Sequence, residues 1–168
     1  MQVMRLAVDT NFLLYLAQPR EVAHDALEVI RRRIRGAQIL VTPTVLDELI
    51  TKSEDDTDPV VRDLARKALP RFMREWGMTP VELPDLQSTF ARSIADKLLA
   101  QGIMPCEEHN DARILAEAAL LECQLLVSSD SHLCDIDPKQ LALALQACGV
   151  SVVLVLSPRD IVRKFAGR

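Results

Sequence analysis

The sequence predicts an α/β fold built on a mainly parallel sheet with helices on both faces, and three observations predict it. Short aliphatic runs at 5–8, 38–41, 124–128 and 150–156 alternate with stretches of helical periodicity, and parallel strands are the ones that need helical crossovers. Thr42-Pro43, Asp58-Pro59, Asp137-Pro138 and Ser157-Pro158 each put a capping side chain ahead of a proline and an amphipathic run, the punctuation of a helix start. Two of the strand-like runs end on carboxylates, Asp9 and Asp130, so acids arrive outside the carboxyl ends of strands, where ligands gather in open α/β sheets.

The elements follow in order. After Asn11 the run Phe12–Ala17 predicts a short helix closed by Pro19. Val22, Ala23, Ala26, Leu27, Ile30 and Ile34 recur at helical spacing up to Gly36, and the arginines Arg31, Arg32, Arg33 and Arg35 suit the negative end of that helix dipole. A strand over Gln38–Val41 leads to the helix capped at Thr42, which should bury Val45, Leu46, Leu49 and Ile50. The helix from Pro59 carries Val61, Leu64, Ala65, Ala68, Leu69, Phe72, Met73 and Trp76 on one stripe, with Pro70 expected to kink or interrupt it. A brief strand over Thr79–Leu83 precedes a helix capped by Asp85, with Leu86, Phe90, Ile94 and Leu98 inward and Gly102 at its end. Beyond a loop to His109, a helix from Asn110 or Asp111 to Leu121 precedes the strand through Ser128. A helix over Lys139–Ala147, a strand over Val150–Leu156 and a helix to about Phe165 complete the chain.

Bulk properties narrow the class. The 168 residues fit one domain spanning 1–168, long enough to bury a core without staples. The 4% aromatic content makes that core aliphatic. The longest apolar runs, Phe12–Ala17 and Val152–Leu156, fall far short of the ~20 residues that span a bilayer, so no membrane association is expected. The amino-terminal residues have no signal-peptide layout, and a cytoplasmic protein is expected. Cys106, Cys123, Cys134 and Cys148 are scattered without Cys-x-x-Cys spacing, which predicts reduced, mostly buried thiols rather than a disulfide or zinc site. A formal charge of −4 argues against non-specific coating of nucleic acid, but leaves room for acids clustered in a site and separate basic patches.

Two acids delivered by two strands to one edge repel unless a cation sits between them. Magnesium and manganese take oxygen ligands, so a site for either consists of several acids from separate segments with little histidine. Asp111, at a helix start, is placed to be a third after Asp9 and Asp130. In Thr42–Ile50, Asp47 and Glu48 flank the apolar face on opposite sides, and periodicity does not choose between them.

Read together, Val8-Asp9-Thr10-Asn11, Val45-Leu46-Asp47-Glu48-Leu49, Asn110-Asp111-Ala112 and Leu126-Val127-Ser128-Ser129-Asp130 resemble, in order, the four acidic motifs of the PIN-domain nucleases, VapC-like toxin ribonucleases above all. The resemblance spans roughly Arg5 to Leu133. It implies a three-layer α/β/α sandwich and metal-dependent cleavage of single-stranded RNA. Carried over position by position, it makes Asp9, Glu48, Asp111 and Asp130 the holders of Mg2+ or Mn2+, prefers Glu48 to Asp47, and makes Asn11 and Ser128 the groups orienting the first carboxylate. It also implies an antitoxin protein as partner and a homodimer, for which the kinked helix with Trp76 could offer apolar surface. Leu133 departs from the aromatic residue common there, and the two helices between Asp58 and Gly102 together with the segment after Leu133 make the chain longer than compact toxins, which touches the toxin role more than the fold.

Blander readings stand beside each residue. Asp9, Thr10 or Asn11 could cap a helix, Glu48 could be a solvated helix residue, Asp111 a favourable charge at a helix start and Asp130 a turn former. Asp137 reads as a cap and Asp135 as a loop residue; His109 and His132 read as exposed loop residues. The arginine-rich helix end and the basic face formed by Arg62, Arg66, Lys67, Arg71 and Arg74 read first as solvated surfaces and second as contacts to RNA or a partner. Three functional classes compete: a ribonuclease, with or without an antitoxin; a phosphotransfer enzyme on a similar sheet, disfavoured by Asn11 where a second aspartate would stand; and a nuclease-like fold kept only for binding.

Overall fold

The computed structural model describes residues 3–167; Met1, Gln2 and Arg168, at the ends of the expected domain, lie outside the described residues. The elements are β1 (Arg5–Val8), α1 (Thr10–Ala17), α2 (Glu21–Arg33), β2 (Gln38–Val41), α3 (Pro43–Asp55), α4 (Pro59–Arg74), β3 (Thr79–Pro80), α5 (Asp85–Ala100), α6 (His109–Leu120), β4 (Leu125–Val127), α7 (Ser131–Cys134), α8 (Pro138–Ala147), β5 (Leu154–Leu156) and α9 (Pro158–Phe165). The strands form one parallel sheet in the order β3-β2-β1-β4-β5. Right-handed crossovers on that order put the helices between β1 and β3 on one face and those between β3 and β5 on the other. The result is a three-layer sandwich.

β1 is the central strand, and its Leu6, Ala7 and Val8 are wholly buried. Aliphatic residues of α1, α6 and β4, among them Phe12, Leu115 and Leu126, pack into the same core. Chain order reverses direction between β1 and β4, which makes the crevice beyond their carboxyl ends the topological switch point. The ladder continues past both strands: the Asp9 N–H donates to the Val127 carbonyl at 3.1 Å, and the Ser128 N–H to the Leu156 carbonyl at 3.0 Å. Asp9 and Ser128 are thereby held side by side.

Several expectations need correction. Leu86 and Phe90 face outward, 83% and 40% exposed, because α5 packs through Ala91, Ile94, Ala95 and Leu98; alanines admit a neighbouring helix more closely than bulky side chains. Asp85 is the first helical residue and Pro84 the cap, with no side-chain bond to the helix. α4 runs unbroken through Pro70, where both Pro70 and Arg66 are exposed, so the Arg66 carbonyl left without a partner is open to water. Trp76 is buried under the Arg71 guanidinium, 5.1 Å from its ring centre, and offers no apolar surface to a second copy. Val22, Ile50 and Met73 lie on the exposed side of their helices. β5 starts only at Leu154, because the Val150 N–H is used on the Leu145 carbonyl and the Gly149 N–H on the Gln146 carbonyl to close α8, with Gly149 at φ +73°, the Schellman arrangement. α7, a single turn, was not foreseen. Cys106 is exposed, whereas Cys123 is buried.

Candidate active site

The carboxyl edge at β1 and β4 carries a cleft of about 240 Å3 whose walls include Asp9, Glu48, Asp111 and Asp130. All four expected acids therefore reach one place. Asp9, 3% exposed, caps α1: its Oδ1 accepts from the Phe12 N–H at 2.8 Å, and its Oδ2 accepts from the Ser128 hydroxyl. The same Ser128 oxygen accepts the Asp130 N–H at 3.0 Å, so one serine ties the two strand-end acids together. Asp130 caps α7 through the His132 N–H at 2.8 Å.

Glu48 enters from α3 and accepts from the Thr10 hydroxyl at 3.0 Å. Asp47 is exposed and absent from the walls of the acidic cleft, so the structure separates the two neighbours that periodicity left equivalent. Asp111 projects from the first turn of α6, and its Oδ2 is buried with no hydrogen-bond partner. Asn11 lines the cleft, but among the described residues it makes no hydrogen bond to Asp9; the Phe12 amide and Ser128 orient that carboxylate instead.

Electrostatics mark the cleft as a place where negative charge is confined. Burial, opposed by the Ser128 and Phe12 hydrogen bonds and reinforced by Asp130 and Glu48, pushes the Asp9 carboxyl up to about 6. Burial, followed by the charges of Asp130, Glu108, Asp9 and Glu48, pushes Asp111 up to about 7. Glu48 is also raised, by burial first, with Thr10 and Lys52 holding it down. Among the described residues no three His, Cys, Asp or Glu side chains are already arranged to hold one ion; Asp9, Glu48 and Asp130 each accept hydrogen bonds from within the protein. The donor set is nevertheless all oxygen, crowded and incompletely satisfied, which suits a hard divalent cation.

Sequence reasoning missed four participants. Lys52 and Glu108 line the cleft, and Glu108 lies 3.5 Å from His132. Thr10 positions Glu48. Glu117, 7% exposed, receives the Thr44 N–H at 3.1 Å and the Thr44 hydroxyl at 2.7 Å, capping α3 from α6 and fixing the helix that carries Glu48. The signal for Glu117 was a glutamate inside an otherwise apolar run, Ile114–Leu121. Asp137 caps α8 through the N–H groups of Lys139 and Gln140, as its proline implied. Asp135 is exposed and away from the cleft. His109 and His132 are exposed, but on helices rather than loops.

No family model and no curated protein matches the chain. Solved structures do. One is VapBC2 from Rickettsia felis bound to a DNA fragment from their promoter, with a TM-score of 0.60 at 14% identity, covering 92% of this chain and 98% of that one. VapBC-1 from nontypeable Haemophilus influenzae gives 0.59 at 15% identity, covering 93% and 99%. FitAcB from Neisseria gonorrhoeae gives 0.54 at 14%, covering 92% and 98%. Coverage this wide takes in most of the segment between Asp58 and Gly102, so the length of α4 and α5 does not set the fold apart.

Proposed function

We propose, from the VapC-like PIN-domain fold that this chain shares with those complexes, that it is a divalent-metal-dependent endoribonuclease acting on single-stranded RNA and the toxin of a type II toxin–antitoxin pair. The observation that carries the reading is the convergence of Asp9, Glu48, Asp111 and Asp130 on one cleft, with an Asp111 oxygen buried and unpartnered. Their charges act on one another, with Asp130, Asp9 and Glu48 all adding to burial in raising the Asp111 carboxyl, which separate structural roles do not require. Helix capping accounts for Asp9 and Asp130 singly, and leaves Glu48 and Asp111 unexplained.

Mg2+ or Mn2+ held by these four residues would supply an activated water and neutralise charge at the scissile phosphate. The chain's own residues supply placement. Ser128 and the Phe12 N–H fix both oxygens of Asp9, Thr10 holds Glu48, and Glu117 anchors the start of α3 against α6. Asp111 has an oxygen free for a ligand. No serine, cysteine or threonine nucleophile is required, because water is the attacking group. A single strand suits a cleft at a sheet edge, since an unpaired phosphodiester can rotate into line.

The names VapBC and FitAcB and the sequence resemblance support a small antitoxin protein as partner, and the resemblance supports a homodimer. Among the described residues no helix is long and apolar enough to cross a membrane, and work in the cytoplasm fits an RNA target. The decisive experiment is cleavage of single-stranded RNA by purified protein with Mn2+, with and without chelator, alongside Asp9→Asn. Metal-dependent cutting lost in the variant is the expected result. Absence of Mn2+ binding by calorimetry, or cutting retained by the folded variant, rejects the site. Co-purification with the product of an adjacent small reading frame tests the toxin role separately.

A further inference from the structure

The acidic cleft does not end at its carboxylates. It shares Glu48, Lys52 and Asn110 with a second hollow of about 320 Å3, whose walls add Arg113 and Asp47. That hollow shares Asn110 and Arg113 with a third of about 340 Å3 between α5 and α6, walled by Arg92, Asp96 and His109. Common walls place the three hollows side by side, as a broken trough from α5 across the start of α6 to the site. Of the cations along it, Arg92 and Arg113 enter no ion pair among the described residues. Lys52 has only a loose contact with Asp56 at 3.6 Å. Elsewhere among the described residues Arg5, Arg32, Arg71 and Arg163 enter ion pairs and Arg33 and Arg35 do not, so what sets Arg92 and Arg113 apart is their place on walls next to the acidic cleft.

The surroundings of the trough agree. Glu108 at the N-cap of α6 makes no side-chain cap, and the first-turn N–H groups, with Asp111 among them, lie where Asn110 lines all three hollows. A cleft of four acids repels a polyanion, and free guanidinium groups beside it offset that repulsion. The two flanking hollows set Arg92, Arg113 and Lys52 against Asp47, Glu48 and Asp96, so the flank is neutral where the cleft is acidic, and each arginine can pair with a phosphate bidentately.

We infer that this trough holds one flank of the single-stranded RNA, with Arg113 and Arg92 taking successive phosphates away from the acidic cleft and Lys52 the phosphate nearest it. The inference rests on the ribonuclease reading. The test is fluorescence anisotropy with a short end-labelled oligoribonucleotide in chelator, across a salt series, on wild type, R92Q/R113Q and R33Q/R35Q. Arg33 and Arg35 precede β2 and therefore sit at the opposite edge of the sheet, which makes them a charge-matched control.

Removing two phosphate contacts lowers the slope of log K against log salt by about 1.4 and weakens binding roughly 25-fold at about 0.1 M salt. The expected result is that loss in R92Q/R113Q, with a raised KM for cleavage, unchanged Mn2+ binding by calorimetry and an unchanged melting temperature. Equal losses in R33Q/R35Q, or unchanged affinity and KM in R92Q/R113Q, overturn the trough while wild-type cleavage keeps the acidic site standing. Should R92Q/R113Q melt early, the single variant R92Q, at an exposed position, is read in the same way. A wild type that neither binds nor cuts RNA removes the ribonuclease reading and the trough with it.

Discussion

In chelator at about pH 7.5, Asp9→Asn is expected to outlast the wild type on heating, and with Mn2+ supplied it is expected to lack the RNA cleavage proposed for the wild type. Asp9 lies buried with its carboxyl pushed from 3.8 to about 6. Between those two values the native state holds a proton that the unfolded chain has released, so stability falls as pH rises through the window and is flat above about 6. The shift corresponds to roughly 3 kcal/mol of destabilisation once Asp9 is ionised. Asparagine carries no charge and keeps a side-chain oxygen for the Phe12 N–H, preserving the cap. Its amide instead presents N–H to Ser128, whose own hydroxyl then lacks its acceptor, a cost of about 1 kcal/mol. The net gain is about 2 kcal/mol, or roughly 4–8 °C for a chain of this length. Scanning fluorimetry and urea titration at about pH 7.5 and about pH 4 measure it, the two proteins converging at the lower pH. Added Mn2+ raises the wild type and not the variant, through binding to the native state alone. An Asp9→Asn protein equal to or less stable than wild type at the higher pH, with the same urea m-value, refutes the reasoning.

Ser128→Ala strips a donor from Asp9 and an acceptor from the Asp130 N–H, costing about 1–3 kcal/mol in urea titration; the Asp9 carboxyl rises further, so the acidic limb of the cleavage pH profile moves to higher pH. Glu117→Ala leaves the buried Thr44 N–H and hydroxyl unmatched and is expected to cost roughly 2–4 kcal/mol, with Glu117→Gln recovering part of that and cleavage falling as α3 loosens. With a thiol reagent, exposed Cys106 reacts at once, whereas burial holds Cys123 up at about 12 and protects it until denaturant is added.

How far the chain could be read beforehand depends on how local each signal is. Prolines behind Thr42, Asp58, Asp137 and Ser157 place four helices because the cap and the proline are neighbours in sequence, and all four positions are N-caps in the structure. The strand ends at Asp9 and Asp130 were legible for the same reason, through aliphatic runs closing on acids. The choice between Asp47 and Glu48 was invisible to periodicity, since both flank the buried face, and only the position of α1 with Thr10 decides it. The Glu117 bond to Thr44 joins residues 73 apart, a separation over which no pattern speaks. Leu86 and Phe90 share the helical period of Ile94 and Leu98 yet lie outward, because α5 buries Ala91 and Ala95 beside Ile94 and Leu98, and small residues carry no periodic signal of burial. α7 is too short for any period to register, and the apolar run from Val150 is longer than β5 because Val150 spends its amide on closing the previous helix.

Asp9 is at once a wall of the cleft and the cap that begins α1. A gene copy released from selection for the proposed ribonuclease activity can therefore drift at this codon in two directions. Asparagine keeps an acceptor for the Phe12 N–H, and serine and threonine are capping residues as well, while alanine or a bulky aliphatic residue leaves that N–H without its cap, a loss of about 1 kcal/mol. Inactive descendants that persist in cells should be found on the first path, and their persistence would owe more to one backbone N–H at Phe12 than to anything the cleft once did.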